Sequence, residues 1–272
     1  MRLMKLTLFA LSAVAACATA SQSPSPVWRD EFDGPAGASF DRNKWVADTG
    51  GAGFGNKERQ FYTTRAENVA MDGQGHLVIT ALAEPASSTR ECWYGRCLYT
   101  STRLKTKGLF SQTYGRFEAR IRIPHGQGLW PAFWMLAADI DQVGWPEGGE
   151  IDIMENIGRE PAIVHGTLHG PGYSGSDGIS RTDTLSRGAY ADDFHIYAVE
   201  WQPNEIRWYV DGRQYNRLTP TDLPSGSRWV FDRPFFLLMN VAVGGGWPGD
   251  PDASTTFPQV MIVDYVRAYG RP

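Results

Sequence analysis

Residues 114–124 read YGRFEARIRIP, and this run indicates the fold class. Polar side chains alternate with apolar ones from Arg116 to Ile123, which is the two-residue period of a strand with one buried face. Four further runs suggest strands, and Asp211-Gly212 lies between two more as a hairpin turn. The four runs are residues 76–82, 194–201, 235–243 and 260–269. Because no stretch shows a helical stripe, we predict an all-β fold in which two antiparallel sheets pack as a sandwich.

Composition and charge narrow the broad class. The chain has 272 residues, of which 42% are hydrophobic and 21% charged, as in ordinary globular proteins. The formal net charge of −4 provides no basic surface, so we expect no nucleic-acid partner. No feature of the sequence points to more than a monomer.

The N-terminal residues resemble an export signal. An apolar run precedes Ala18-Thr19-Ala20, which fits a signal-peptidase site. Alternatively, Val14-Ala15-Ala16-Cys17 resembles a lipobox, in which Cys17 would carry a lipid anchor. We therefore expect a secreted or periplasmic protein, or else a membrane-anchored lipoprotein. The predicted segments are a signal peptide over residues 1–20, a Ser/Pro linker over 21–26 and one catalytic domain over 27–272.

Two cysteines remain beyond this signal, Cys92 and Cys97, in the loop ECWYGRC. In an oxidising compartment we expect them to form a short-range disulfide, with two free thiols as the alternative. Two cysteines alone are too few for a typical structural zinc site.

The run GEIDIMEN, residues 149–156, places three acids among apolar residues. Glu150 and Asp152 share a strand face by the two-residue period, whereas Glu155 has the opposite parity. One extra residue in the strand would return Glu155 to the shared face, and a β-bulge supplies such a residue. We therefore predict a bulge near Ile153-Met154.

Three carboxylates on one face repel one another, which raises at least one pKa and leaves another group ionised. A retaining glycosidase needs such a pair, with the two carboxyl groups about 5–5.5 Å apart. A solvated acidic strand face and a structural calcium site are the alternatives.

GEIDIMEN resembles the catalytic strand of glycoside hydrolase family 16, in its bulged E-x-D-x-x-E form. The resemblance covers nearly the whole mature chain, and within the family it is greatest to bacterial laminarinases, which are endo-β-1,3-glucanases. It implies a concanavalin-like β-jelly-roll with a concave substrate cleft. The matching motifs are DEFDG (30–34), GNKERQFYT (55–63), YGRFEARIRIP (114–124), GLWPAFWML (128–136), HGTLHGPGYSG (165–175), WYVDG (208–212), MNVAVGGGWPG (239–249) and VDYVRAYG (263–270).

The resemblance implies a role for each acid. Glu150 would be the nucleophile, Glu155 the general acid and then base, and Asp152 an assistant of Glu150. No cofactor is expected for catalysis. A structural Ca²⁺ is implied at Glu31, the Gly75 carbonyl and Asp264, because oxygen ligands suit this ion.

The resemblance also implies a frame that binds the sugar chain, because aromatic rings suit its flat C–H faces and polar groups suit its hydroxyls. The implied residues are Trp130, Trp134, Asn56, Glu58, Arg103, His169, Asn240 and Trp247. Trp130 and Trp134 could instead be core residues, and His169 a structural histidine. Trp247, in a Gly-rich loop, is expected to be exposed, whereas Trp201 and Trp208 lie in alternating strands typical of the core.

The predicted function is that of a secreted retaining endo-β-1,3-glucanase that hydrolyses laminarin-type β-glucans by double displacement. One alternative keeps this mechanism for mixed-linkage β-1,3-1,4-glucan or a galactan. A non-catalytic β-glucan-binding protein and a structural cell-surface lipoprotein are hypotheses of a different class. Met154, the bulge residue, counts against the mixed-linkage subgroup, and the presence of Glu150 and Glu155 counts against a protein without catalysis.

Overall fold

The computed structural model describes residues 25–271, and strands dominate it. The strands are β1 (Trp28–Asp30), β2 (Val46–Asp48), β3 (Gln60–Tyr62), β4 (Val69–Met71), β5 (Leu77–Ala83), β6 (Glu91–Cys92), β7 (Gly95–Arg96), β8 (Tyr99–Ser101), β9 (Arg103–Lys105), β10 (Gly115–Arg122), β11 (Leu129–Ala137), β12 (Glu150–Glu155), β13 (Ile163–His169), β14 (Ile179–Thr184), β15 (His195–Gln202), β16 (Glu205–Val210), β17 (Arg213–Leu218), β18 (Phe235–Val243) and β19 (Gln259–Tyr269). The helical segments are α1 (Ile140–Val143) and two 3₁₀ turns, Gly175–Asp177 and Pro220–Asp222.

Some predictions for the N-terminus concern residues beyond this range. The predicted signal peptide, the lipobox cysteine Cys17 and residues 21–24 of the predicted linker lie outside the described residues. Within residues 25–271, no helix is both long and apolar enough to cross a membrane.

The strands form two large sheets around one apolar core. The ten-stranded sheet has the order β17-β16-β15-β10-β19-β5-β8-β3, with β1 beside β19 and β4 beside β5. The seven-stranded sheet has the order β14-β13-β12-β11-β18-β9-β2. Among the described strands, β3 and β8 pair in parallel, and the neighbouring pairs of the seven-stranded sheet are antiparallel. The predicted antiparallel β-jelly-roll sandwich is confirmed.

Local sequence explains the elements that were predicted. The alternating run forms β10, whose Phe117, Ala119 and Ile121 are completely buried between the sheets. Asp211 and Gly212 connect β16 to β17 with φ angles of 49° and 77°, as the two central residues of a type I′ hairpin turn require.

The short β6–β7 hairpin stands apart from both large sheets. Cys92 and Cys97 are joined there by a disulfide with an S–S distance of 2.12 Å. The indole of Trp93 donates a hydrogen bond to the Glu58 carbonyl at 2.7 Å, and the Tyr94 hydroxyl donates to the Arg59 carbonyl at 2.6 Å. The hairpin therefore packs against the segment that carries Asn56 and Glu58.

Candidate active site

Strand β12 carries the three acids, and it contains a bulge at the predicted position. Trp134 of β11 lies opposite Asp152, whereas the preceding Phe133 lies opposite Met154. Ile153 is therefore the extra residue on β12. Ile153 and Met154 are 1% and 0% exposed, so both pack into the core. The predicted bulge is confirmed.

The bulge places the three acids on one face, which we call the acid face of the seven-stranded sheet. The three acids lie opposite three alternate residues of β11, which share one face of that strand. Side chains directly opposite each other in a sheet point to the same side. The β11 residues opposite Glu150, Asp152 and Glu155 are Leu136, Trp134 and Ala132.

Glu155 is buried and has a neutral donor beside it. Glu155 is 8% exposed, and the indole N–H of Trp130 donates a hydrogen bond to its Oε1 at 2.9 Å. Burial raises the pKa of Glu155 to about 7, against the lowering effect of the nearby His169 and of the Trp130 hydrogen bond. A carboxyl group with this pKa can hold a proton near neutral pH and also release it.

Glu150 lies nearer to solvent, with a side chain 17% exposed. The indole of Trp145 donates to its Oε2 at 2.9 Å, and His169 Nε2 lies 3.9 Å from its Oε1. Burial, and next the charge of Asp152, raise the pKa of Glu150 to about 8. Glu150 and Asp152 therefore share one proton rather than both being ionised at neutral pH.

Asp152 is the most deeply buried of the three acids, at 2% exposed. Its Oδ2 lies 3.2 Å from His169 Nε2, and burial raises its pKa well above the usual range. Ligand atoms of Glu150, Asp152 and His169 all lie within 4.8 Å of one another. Among residues 25–271, no other cluster of three or more potential metal ligands is found. This cluster coincides with the acids of β12.

Several predicted sugar-binding residues follow one another across the acid face. The indole of Trp134 donates to Asn240 Oδ1 at 2.8 Å, and Asn240 lies opposite Arg103 of β9. The guanidinium of Arg103 pairs with Asp48 at 2.7 Å and stacks 4.3 Å from the ring of Phe54. Trp134 is only partly buried, so its ring is available to a ligand.

Glu58 has a different setting from the one expected of a residue that contacts a sugar directly. It is 4% exposed and accepts hydrogen bonds from Asn56 at 3.1 Å, Gln60 at 2.5 Å and the Tyr62 hydroxyl at 3.1 Å. Burial raises the pKa of Glu58. Glu58 therefore orients Asn56 and offers little surface of its own.

Trp247 and Trp130 form one wall of a cleft beside Glu155. Trp247 is 36% exposed, and its ring meets that of Trp130 edge to face, with centroids 5.3 Å apart. The cleft has a volume of about 290 Å³. It is lined by Gly55, Asn56, Lys57, Trp130, Gly246 and Trp247.

The predicted calcium ligands are engaged by arginine. Both carboxylate oxygens of Glu31 accept hydrogen bonds from Arg267, at 2.8 and 2.7 Å, and Asp264 Oδ2 accepts one from Arg120 at 2.7 Å. Gly75 lies in the turn before β5, with φ 88°. Calcium binds six to eight free oxygens, so this paired arrangement does not fit the ion as it stands. The calcium site stays a prediction.

Sequence reasoning missed two residues beside the acids. Trp145, 48% exposed, was not linked to Glu150, although it is an indole donor only five positions away. His165 lies opposite Glu155 and packs 5.0 Å from the Trp247 ring. The alternation of His165, Thr167 and His169 could have revealed it, because residues two apart on a strand share a face.

Comparison with known proteins agrees with this geometry. The sequence profile of glycosyl hydrolases family 16 matches residues 56–267. A β-glucanase of Rhodothermus marinus is 45% identical over an alignment of 287 positions, which covers 98% of this chain and 95% of the relative. The structure of an endo-β-1,3-glucanase from Pyrococcus furiosus superimposes with a TM-score of 0.84 and 47% identity, covering 90% of this chain and 94% of the other. A laminarinase catalytic domain from Thermotoga maritima gives 0.84 and 45%, covering 92% and 100%. This chain belongs to glycosyl hydrolases family 16.

Proposed function

We propose that the protein is a retaining endo-β-1,3-glucanase that hydrolyses laminarin-type β-glucans. The bulged strand β12 is the observation that carries this proposal, because it gathers Glu150, Asp152 and Glu155 on one face beside partly exposed tryptophans. The similarity to an endo-β-1,3-glucanase and a laminarinase at 47% and 45% identity supports the substrate class.

The reaction proceeds in two displacements. Glu150 attacks the anomeric carbon while Glu155 gives its proton to the glycosidic oxygen of the leaving sugar. The first displacement leaves a covalent glycosyl-enzyme on Glu150. Glu155, now ionised, removes a proton from water, and the resulting attack releases the sugar with its original anomeric configuration.

The attack requires the proton shared by Glu150 and Asp152 to reside on Asp152. The hydrogen bond between the two acids favours the proton on Glu150 in the resting site, but Asp152 is less exposed and burial raises its pKa well above the usual range, so Asp152 can take the proton when Glu150 attacks. The Trp145 N–H then stabilises the charge on Glu150. We expect maximal activity midway between the raised pKa values of about 7 and about 8, that is near pH 7.5.

The aromatic and polar residues of the acid face bind the glucan chain. The rings of Trp134 and Trp247 offer flat surfaces to the C–H faces of successive sugars. The exposed Asn56 offers its amide group to the hydroxyls at the rim, and the buried Asn240 orients the Trp134 indole. His169 lies beside Glu150, where it can contact the sugar on the product side.

The test is product analysis with a matched pair of variants. The wild-type protein, Glu150→Gln and Glu147→Gln are incubated with laminarin, lichenan and agarose, and products are followed by reducing ends and by NMR of the anomeric proton. Glu147 is an exposed acid three residues before Glu150, so Glu147→Gln controls for the same chemical change.

We expect wild type and Glu147→Gln to release β-anomeric oligosaccharides from laminarin, and Glu150→Gln to release none. Cleavage of lichenan or agarose alone would overturn the substrate and keep the mechanism. Binding of laminarin without cleavage by the wild type would identify a β-glucan-binding protein instead.

Location and metal binding are separate proposals. The sequence of residues 1–20 supports export to the periplasm or the medium, with a lipid anchor at Cys17 as the alternative. Mass spectrometry of the mature N-terminus distinguishes these outcomes.

A structural calcium ion at Glu31, Gly75 and Asp264 would require the arginine pairs of both acids to open.

A further inference from the structure

Two backbone carbonyls beside the bulge accept hydrogen bonds from the opposite sheet. The indole N–H of Trp208, on β16, donates to the carbonyl oxygen of Asp152 at 2.7 Å. The side-chain amide of Asn216, on β17, donates to the carbonyl oxygen of Gly166 at 3.1 Å. Trp208 and Asn216 lie directly opposite each other in their own sheet, so they form one cross-strand pair that reaches across the core.

The bulge interrupts the backbone ladder beside both carbonyls. Between the pairs Asp152–Thr167 and Glu155–His165, strand β12 has one residue more than β13, so the regular ladder is interrupted. A buried carbonyl without a donor is costly. Trp208 is 0% exposed, so no water from the surface can take the place of its N–H.

Gly166 permits this close approach. A β-carbon at Gly166 would lie 2.5 Å from the Trp208 ring and closer still to the Tyr215 hydroxyl, and both distances are too short for real contacts. A glycine at this position therefore lets the indole reach the bulge.

We propose that Trp208, with Asn216, is a positioning residue for hydrolysis: its hydrogen bond to the Asp152 carbonyl holds the bulge that turns Glu155 onto the acid face. A slip of one residue in a strand moves a side chain to the opposite face, so loss of the bulge would direct Glu155 away from Glu150. This inference rests on the proposed function, because it concerns the geometry of the two carboxyl groups.

The experiment compares Trp208→Phe with Trp201→Phe. Both residues are completely buried tryptophans of the ten-stranded sheet, and the indole of Trp201 donates to the Phe231 carbonyl at 3.1 Å, away from the acids. Each variant thus loses one buried N–H and a similar volume. Kinetics on laminarin are measured below the unfolding transition of both variants.

We expect similar losses of thermal stability but different kinetics. Misplacement of a catalytic group by about 1 Å can cost about 100-fold in rate, so kcat of Trp208→Phe should fall about 10- to 100-fold, with KM changed less than about threefold. The pH profile of Trp208→Phe should also shift, because Glu155 changes its surroundings. Equal kcat values and equal pH profiles in the two variants would overturn the proposal.

A second variant and a readout without substrate separate this inference from the proposed function. Asn216→Leu removes the donor to Gly166 and should lower kcat in the same way. Hydrogen exchange of the backbone amides of residues 150–157 should be faster in Trp208→Phe and Asn216→Leu than in Trp201→Phe, even if the wild type cleaves no laminarin. Unchanged exchange in both variants would refute the role of Trp208, whatever the substrate.

Discussion

Replacing Trp130 with phenylalanine tests how the protein sets the acidity of Glu155. The indole N–H of Trp130 donates to Glu155 Oε1 at 2.9 Å, and this hydrogen bond lowers the pKa of the carboxyl group. Phenylalanine keeps a ring in the cleft wall but removes the donor. The charged form of Glu155 then loses a partner, so its pKa rises.

The size of the change follows from the hydrogen bond. A hydrogen bond to a charged group contributes about 1.5–3 kcal/mol, and one pKa unit corresponds to about 1.4 kcal/mol, so we expect the pKa to rise by about one to two units. The pH of maximal activity lies midway between the two essential pKa values, whichever residue each belongs to. The optimum should therefore move upward by about half to one pH unit, from about 7.5 to about 8–8.5.

The assay is kcat/KM on laminarin at closely spaced pH values, which reports the free enzyme. Trp134→Phe is the matched control, because its indole donates to the neutral amide of Asn240 and not to an acid. We expect the control to bind substrate less tightly and to keep the wild-type optimum. An unmoved or lowered optimum in Trp130→Phe would refute the assignment of this N–H as a determinant of the pKa of Glu155.

Three further outcomes are expected. Trp145→Phe should also raise the pH optimum, because the indole N–H of Trp145 lowers the pKa of Glu150. The shift should be smaller than in Trp130→Phe, because Trp145 is 48% exposed and solvent screens the lost hydrogen bond. Activity on laminarin measured as a function of pH checks this. Replacing Cys92 and Cys97 by alanine opens a loop with a sequence separation of 5. This change should cost about 2 kcal/mol of unfolding free energy, seen by calorimetry as a Tm lower by about 4–8 °C. Calcium that opens the arginine pairs of Glu31 and Asp264 should raise Tm above its value in EDTA, and Glu31→Gln should abolish the difference; equal Tm values would show that the pairs keep the ion out.

The alternation of polar and apolar residues along the sequence was sufficient to predict the two-sheet sandwich and the bulge. Alternation over residues 114–124 identified β10, and the mismatch between Asp152 and Glu155 predicted a bulge near Ile153-Met154, where the structure has Ile153 as the extra residue. Both predictions depend on neighbours along one strand, which a sequence contains directly. Trp208 was likewise expected in the core, and it is completely buried.

Contacts between distant strands could not be predicted in this way. The N–H of Trp208 reaches Asp152 across 56 positions, and nothing in either motif indicates that the Asp152 carbonyl needs a donor. The burial of Glu58 depends on Gln60 and Tyr62 turning toward it from β3. Such contacts follow from register and sheet packing, so they require the three-dimensional structure.

The choice of donors beside the acids has an electrostatic reason. Glu150 and Glu155 each accept a hydrogen bond from a neutral indole, while Arg103 of the acid face is paired with an aspartate of β2. A free arginine within about 4–6 Å would lower a carboxyl pKa by about 1–3 units and remove the proton that the first displacement needs. An indole carries no charge, so it orients the carboxyl group and lowers its pKa only through the hydrogen bond, and its ring also provides a flat surface to a sugar. Part of the tryptophan content thus serves the acidity of the site as well as the binding of substrate.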